Sequence, residues 1–205
     1  MQKLKLYGTP LSGHVHRVAL LLRMLELPYE LIEAPAEVRQ SEAFLRLNPF
    51  GQIPLLVDGE LALADSNAIL VYLAKRYAPD SHWLPEEPVA AAQVQQWLSK
   101  AAGEVRYGPA SARLIAQFGV PEDYQVAQAI SARFLPQMEQ HLTDHQFLAT
   151  QQATIGDLAC YSYVAVAPEG GISLAPYPAI QRWVARIAAL PGFFAMPSLP
   201  YPVER

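Results

Sequence analysis

Apolar and polar residues alternate at the start of the chain and then take up a helical period. Leu4 and Leu6 alternate with lysines, which is typical of a strand with one buried face. From Val15 to Leu22 the apolar residues recur at the i, i+3, i+4 and i+7 positions that share one side of a helix. The pattern therefore predicts a strand that runs through a turn, residues 9–13, into an amphipathic helix.

A second strand and a short helix are expected after the first helix. Pro28 ends the helical pattern because proline lacks the N–H that a helix needs, and residues 29–33 (YELIE) predict a strand. Residues 34–40 are polar and predict irregular structure. Ser41 then provides an N-cap for a short helix that stops before Pro49.

A hairpin and a third helix complete this pattern. Asp58-Gly59 lies between two apolar runs, a strong hairpin signal because type I′ turns need positive φ at both central positions. Asp65 and Ser66 then precede the apolar helical run 68–73. The order β-α-β-α-β-β-α predicts a thioredoxin-like α/β domain in which one sheet carries helices on its faces.

Beyond residue 88 the pattern is helical only. Residues 79–88 are rich in proline and charge and predict a linker. Helical spacing follows at 89–118, 123–142, 154–166 and 177–190. The chain is thus expected to be α/β plus all-α, with a thioredoxin-like domain at 1–78, a linker at 79–88 and a helical bundle domain at 89–205.

Composition narrows the class of protein. Apolar residues make up 52% and charged residues 17% of 205 residues, yet no apolar run approaches the roughly 18 needed for a membrane span. A net charge of -4 without a basic stripe argues against nucleic-acid binding. One cysteine, Cys160, cannot form an internal disulfide, and no signal-peptide pattern is present. We expect a soluble cytoplasmic protein without a thiolate metal site.

The turn at residues 9–13 is the first candidate for chemistry. Thioredoxin-type folds often carry a C-x-x-C redox pair in this turn, but this chain has Thr9-Pro10-Leu11-Ser12. Because a hydroxyl cannot exchange disulfides, any reactive sulfur at this turn must come from a ligand. Ser12 at the helix start could stabilise a ligand thiolate with a hydrogen bond and the helix dipole. A free thiol has a pKa of about 8.5, and each unit of lowering needs about 1.4 kcal/mol. The alternative is that Ser12 is simply an N-cap.

Two further features suit a peptide-like ligand. A cis bond at Pro54 would turn the backbone of Ile53 outward, where an extended peptide can pair with it; the alternative is an ordinary trans turn. Asp65 and Ser66 at a helix start could bind an amine and a carboxylate, or could be plain caps.

Together these features resemble the glutathione S-transferase family. Ser12, the stretch 48–56 (NPFGQIPLL), Asp65-Ser66 and a helical second half occur in that order, and 154–158 resembles the capping box of the family's second domain. The resemblance covers essentially the whole chain and is to bacterial, serine-type, theta- or nu-like members. It implies glutathione as co-substrate, no metal, and a homodimer.

The resemblance also implies roles for individual residues. In the family the cis proline stretch pairs with the cysteinyl backbone of glutathione, which maps onto Ile53 and Pro54. The acidic-Ser pair binds the γ-glutamyl end, which maps onto Asp65 and Ser66. Two glutamines complete the implied glutathione-binding set. Gln52 would contact the tripeptide, and Gln40 would bind the glycine carboxylate, a role for which Arg39 is the competing candidate.

Three hydroxyls are candidates for the contact with the thiol. Serine-type members place a Ser at the start of helix one, which matches Ser12. Tyrosine-type members use a Tyr on the first strand, where this chain has Tyr7. Some relatives with disulfide-bond reductase activity carry Thr-Pro-Asn in this turn, which makes Thr9 the third candidate.

Several other residues are open to two readings. His14 and His16 form an H-x-H motif, but two residues apart on a helix their side chains point in different directions, which does not suit a shared metal. They are expected to be solvated or to cap the helix, and His14 could support charge at the site. Cys160 lies in an apolar helical stretch and is expected to be buried. Phe50 resembles the aromatic residue that some members insert into the partner subunit; the alternative is a core or loop residue.

We expect a glutathione transferase that conjugates the thiolate to a hydrophobic electrophile in detoxification. The electrophile should bind beside Leu11 and the helix that carries several large side chains: Trp97, Val105, Arg106, Tyr107 and Arg113. The alternatives are a glutathione-dependent reductase of disulfides or peroxides and, in another class, a non-catalytic interaction protein of the same fold.

Overall fold

The computed structural model describes residues 3–201 and contains a four-stranded mixed sheet in its first half. The strand order is β2-β1-β3-β4. The first two strands are parallel, and the other pairs are antiparallel. The strands are β1 (Leu4–Gly8), β2 (Tyr29–Glu33), β3 (Leu55–Asp58) and β4 (Leu61–Ala64).

The helices of the first half cover both faces of this sheet. They are α1 (Gly13–Met24), α2 (Ala36–Arg39), α3 (Glu42–Leu47) and α4 (Ser66–Tyr77). Leu6 and Leu56 belong to the large core that also contains residues of α1 and α4. Phe44 of α3 packs with Ala34 and Leu55 in a separate, smaller cluster. The predicted thioredoxin-like order is therefore confirmed.

The second half is helical, as expected. Its α-helices are α5 (Pro88–Lys100), α6 (Ser111–Phe118), α7 (Tyr124–Asp144), α8 (Ile155–Val164) and α9 (Pro178–Ala188). A π-helix, Ala101–Ala110, joins α5 to α6, and a 3₁₀ helix, Ala167–Gly170, follows α8.

Helix α8 is the centre of the helical half. All ten of its residues are buried, and it packs against α1 and α5. The predicted capping box is present, because Asp157 accepts from the Thr154 N–H at 2.8 Å. The same carboxylate accepts from Leu148 N and Trp183 Nε1, both at 2.9 Å. These bonds fix the start of α8 to the segment after α7 and to α9.

Two local predictions are wrong. Residues 34–40 contain the one-turn helix α2 rather than irregular chain. The single helix expected over 89–118 is divided into α5, the π-helix and α6. The π-helix contains Gly103, Gly108 and Pro109, and the apolar spacing that predicts a helix does not distinguish α from π hydrogen bonding.

Candidate active site

A cavity of about 670 Å³ lies between the β1–α1 turn and the helical half. The first half contributes the turn, one residue of α1, one of α2 and the loop before β3; the π-helix, α6 and α8 contribute the opposite wall. The lining residues are Thr9, Pro10, Leu11, Ser12, His14, Arg39, Gln52, Ile53, Arg106, Leu114, Phe118 and Tyr163.

Ser12 is at once an N-cap and a cavity residue. Its backbone is extended, with φ -84 and ψ 117, and its Oγ accepts from Val15 N at 3.4 Å. The Ser12 N–H donates to Thr9 O at 3.1 Å, which closes the turn. A hydroxyl that accepts from the backbone still has its own hydrogen to donate. The cap therefore leaves Ser12 able to donate a hydrogen bond into the cavity.

The loop before β3 contributes to the same cavity. The Ile53–Pro54 bond is cis, as the sequence suggests. Asn48 shapes the loop from inside: its Nδ2 donates to Gln52 O at 2.8 Å and its Oδ1 accepts from Phe50 N at 3.2 Å. Gln52 and Ile53 both line the cavity.

Asp65 and Ser66 lie at the start of α4, and neither lines the cavity: Asp65 is exposed, and Ser66 is buried next to His14. Asp65 has a positive φ of 71, uncommon for a residue with a side chain, and its Oδ1 caps the helix by accepting from Ala68 N at 2.9 Å. Ser66 is buried, and its Oγ accepts from Arg17 Nη1 at 3.3 Å. The Ser66 hydroxyl is then able to donate to His14 Nδ1, also 3.3 Å away, and His14 reaches the cavity.

The charge around the cavity is positive. Arg39 and Arg106 line it, with Arg106 paired to Glu122 at 2.8 Å, and Arg17 is buried behind it. Within residues 3–201, Arg17 bonds to the oxygens of Ser66 and Asn67 and forms no ion pair. Burial, followed by the charges of Arg17 and Arg106, holds the pKa of His14 well below its ordinary range, so this imidazole is neutral at physiological pH. An anionic ligand fits this electrostatic environment.

The remaining candidates from the sequence lie in different places. Thr9 lines the cavity with Ser12. Gln40 is exposed and outside the lining, whereas its neighbour Arg39 is part of it. Tyr7 packs edge-on against Phe44 at 6.0 Å, in the small core cluster on the other side of the sheet.

Part of the apolar wall was not found from the sequence. Leu11 and Arg106 line the cavity as expected, and so do Leu114, Phe118 and Tyr163, which were not singled out. Leu114 and Phe118 have the i, i+4 spacing of one helix face, a signal that was available. The other residues expected on this wall, none of which is in the lining, are Trp97, Val105, Tyr107 and Arg113.

The two histidines differ from the expectation of solvated side chains. His14 is half-buried at the cavity, and His16 is buried with only 4% of its surface exposed. His16 Nε2 donates to Phe194 O at 2.9 Å, which leaves Nδ1 to accept from the Ser162 hydroxyl at 3.1 Å. Cys160 is buried as predicted, and burial raises its thiol pKa.

Within residues 3–201, no three His, Cys, Asp or Glu side chains come together as metal ligands would. Over the same residues, every helix is too short or too polar to cross a membrane. The cavity chemistry of the described residues is therefore that of hydroxyls, arginines, a neutral imidazole and backbone amides.

Both halves of the chain match family models. The model described as "Glutathione S-transferase, N-terminal domain" matches residues 6–81, and "Glutathione S-transferase, C-terminal domain" matches residues 105–191. These ranges cover the sheet, the turn with Ser12, the cis proline and most of the helical half.

Known proteins of this kind are similar over nearly the whole chain. Glutathione S-transferase 3 of Zea mays is 32% identical, with 94% of this chain and 92% of the relative covered. The crystal structure of a glutathione S-transferase from Pseudomonas fluorescens is 36% identical, with a TM-score of 0.88 and 94% and 98% of the chains covered. A Drosophila mojavensis homologue with bound glutathione is 30% identical, with a TM-score of 0.83 and coverage of 93% and 90%. The chain belongs to the glutathione S-transferase family.

Proposed function

We propose that this glutathione S-transferase ionises the thiol of glutathione at Ser12 and conjugates it to an apolar electrophile in the same cavity. The observation that carries the proposal is the position of the Ser12 hydroxyl. It lies at the start of α1 in a cavity that is also lined by Ile53 and by the apolar residues Leu114 and Phe118. A helix start and a hydroxyl donor both favour an anion.

Groups suited to each part of the tripeptide lie in the cavity or at the start of α4 behind His14. The Ile53 backbone beside the cis bond supports antiparallel pairing with the cysteinyl unit, next to Gln52. The start of α4, with Asp65 and Ser66, suits the γ-glutamyl amine and carboxylate, and buried Arg17 adds positive charge there.

The glycine carboxylate would meet a cation. Arg39 lines the cavity, while Gln40 is exposed outside the lining, so we favour Arg39 over Gln40 for this contact. An arginine fork binds a carboxylate through two parallel hydrogen bonds. Substitution of Arg39 is therefore expected to weaken glutathione binding more than substitution of Gln40.

The reaction has one bond-forming step. The bound thiol releases its proton to water, and the thiolate is held by the Ser12 hydroxyl and the N-terminal amides of α1. The sulfur electron pair then forms the C–S bond, and the leaving group departs with its bonding pair. Leu11, Leu114 and Phe118 hold the electrophile beside the sulfur, so that the attack becomes effectively intramolecular.

The test of Ser12 is a titration of enzyme-bound glutathione followed by thiolate absorbance. In Ser12→Ala the pKa of the bound thiol should rise by about one unit or more, because the charge-assisted hydrogen bond is lost. The KM for glutathione should change little, because the peptide-binding groups remain. A wild-type protein that binds no glutathione would instead favour an interaction protein of this fold.

Ser41→Ala is the matched control. Ser41 is also an N-cap, accepting from Phe44 N at 3.3 Å, but it is exposed and outside the cavity. Both variants lose a cap worth about 0.5–2 kcal/mol of stability, so only a specific role of Ser12 moves the thiol pKa. Thr9→Ala and Tyr7→Phe complete the set. An unchanged thiol pKa in Ser12→Ala together with a raised one in Thr9→Ala would transfer the role to Thr9.

Assays with a chlorodinitrobenzene and with a mixed disulfide or a hydroperoxide separate conjugation from reduction. We expect conjugation to be the faster reaction, because the wall opposite Ser12 is apolar at Leu114 and Phe118. Faster disulfide or peroxide reduction would favour the reductase alternative.

We also infer a cytoplasmic homodimer that acts in detoxification. The single thiol, Cys160, is buried and unpaired, which suits a reducing compartment.

Phe50 is 82% exposed, which suits insertion into a partner subunit. Helix α4, which follows the sheet, ends at Tyr77 and α5 begins at Pro88, which supports domains at 1–78 and 89–205 joined by a linker at 79–88.

A further inference from the structure

A buried arginine of the helical half reaches the turn that contains Ser12. Arg113, on α6, has a fully buried side chain, and its Nη1 donates to the carbonyl of Leu11 at 2.9 Å. The two residues are 102 positions apart in sequence. Leu11 immediately precedes Ser12, so this bond joins the helical half to the proposed thiol site.

The bond fixes one end of the peptide unit that leads into Ser12. The other end is also bonded, because the Ser12 N–H donates to Thr9 O at 3.1 Å. A peptide unit is planar, so bonds at both its C=O and its N–H set the orientation of the whole plane. The direction of the Ser12 side chain therefore depends on the Arg113 contact.

Arg113 is itself held rigidly. Its Nε donates to Glu169 Oε2 at 2.6 Å, and this carboxylate is 4% exposed. The other carboxylate oxygen, Oε1, accepts from Leu199 N at 2.9 Å, so Glu169 cannot rotate without losing a bond. A Cβ on Gly170 would lie 2.4 Å from Arg113 N, so the chain after Glu169 packs directly on the backbone of α6.

We infer that Arg113 is a positioning residue for the transferase reaction: through Leu11 it sets the orientation of Ser12 toward the glutathione sulfur. This inference rests on the proposed function of Ser12. A role in stability alone does not account for a buried ion pair between Arg113 and Glu169 at this position. A buried ion pair can often be replaced by apolar residues without loss of stability, and Arg113 Nη2 is buried without a partner among the described residues.

The test replaces the pair with apolar side chains of similar length, Arg113→Met together with Glu169→Met. This double variant leaves no buried charge unpaired, so it should fold. The pKa of the bound glutathione thiol should rise by about one unit, and kcat with a chlorodinitrobenzene should fall about tenfold at neutral pH. The KM for glutathione should stay within about twofold, because the tripeptide-binding groups remain.

Two further variants make the result specific. Arg182→Met replaces an exposed arginine of α9 and should leave both quantities at the wild-type values. Arg113→Lys keeps the charge opposite Glu169 but offers one nitrogen in place of a fork that points to two acceptors. It should fold and still raise the thiol pKa, and it decides the question by itself if the double variant is unfolded.

The outcomes separate the inference from the proposed function. A wild-type thiol pKa and kcat in any folded Arg113 variant would overturn the positioning role while leaving Ser12 in place. A parallel loss of melting temperature and glutathione binding without a change in thiol pKa would show a structural role only. If wild-type enzyme does not lower the thiol pKa at all, the proposed function fails and the inference fails with it.

Discussion

Buried His16 makes the stability of the protein dependent on pH. Burial lowers its pKa from 6.5 to about 4, while its two ring nitrogens bond to Ser162 and Phe194. Between pH about 4 and pH about 6.5, His16 binds a proton in the unfolded chain but not in the folded chain. The free energy of unfolding therefore falls as the pH decreases from about 6.5 to about 4. The difference corresponds to roughly 3 kcal/mol, and below pH about 4 this contribution no longer changes.

Denaturant unfolding at several pH values checks this prediction. His16→Gln keeps a donor and an acceptor without a charge, so its stability should fall less steeply below pH about 6.5 than that of the wild type. Some acid sensitivity should remain, because the pKa of His14 is also lowered. Parallel slopes for wild type and His16→Gln would contradict the assignment.

At the residue scale, local signals were the predictable ones. The Ser12 cap follows from its neighbours in sequence and is present, and the cis bond at Pro54, which the family resemblance implies, is present too. The burial of His16 depends on Ser162 and Phe194, far away in the chain, and no periodicity reveals it. Tyr163 reaches the cavity only because α8 packs on α1, so it also carried no local signal.

The π-helix Ala101–Ala110 contains two glycines with opposite surroundings. A Cβ on Gly108 would lie 2.9 Å from Ser131 Oγ, 3.2 Å from Ile130 Cγ2 and 3.3 Å from Ser131 N, so Gly108→Ala crowds α7. Overpacking of this kind costs about 1–3 kcal/mol. A Cβ on Gly103 would meet no atom of the described residues within 4 Å, and alanine in a helix is favoured by about 0.5–1 kcal/mol over glycine.

Urea unfolding of the two alanine variants measures this contrast. Gly108→Ala should lower the unfolding midpoint, and Gly103→Ala should leave it unchanged or raise it. Because the substitution and the helix are the same, the difference reports the contact with α7 alone. Equal midpoints in the two variants would show that α7 accommodates the extra methyl group without cost.

At the element scale, the sequence predicted which segments form strands and helices better than it predicted the hydrogen-bond pattern within each helix. The Asp58-Gly59 hairpin and the helices α1, α4 and α8 follow from turn chemistry, caps and periodicity, and all are present. The π-helix was predicted as part of one continuous helix, although Gly103, Gly108 and Pro109 within it disfavour a continuous α-helix. Pro109 lies inside it and has no N–H to donate to the preceding turn.

At the scale of the whole molecule, the cavity exists only because the two halves pack together. The lining comes from both, and helix α8 of the second half packs on α1 of the first. Arg113 adds a hydrogen bond between the halves at Leu11. The fold class followed from the order of elements, but the inter-domain wall did not, because it requires the relative placement of α1, α6 and α8.

The proposed homodimer is expected to depend on Phe50. Phe50 lies in the loop held by Asn48, with 82% of its surface exposed, so burial against a partner would remove a large apolar ring from water. Each ring is worth about 1.5–3 kcal/mol, and a two-fold interface contains it twice. Phe50→Ser should therefore raise the dimer dissociation constant by at least about a hundredfold.

Sedimentation equilibrium measures this directly. Wild type should have twice the 22.6 kDa chain mass, and Phe50→Ser should approach the mass of one chain as the protein is diluted. Val126→Ser removes another exposed apolar side chain, 53% exposed on α7, and should leave the mass unchanged. A wild type with the mass of one chain would overturn the homodimer, whereas a dimer equally stable with and without Phe50 would show that the two subunits associate through another surface.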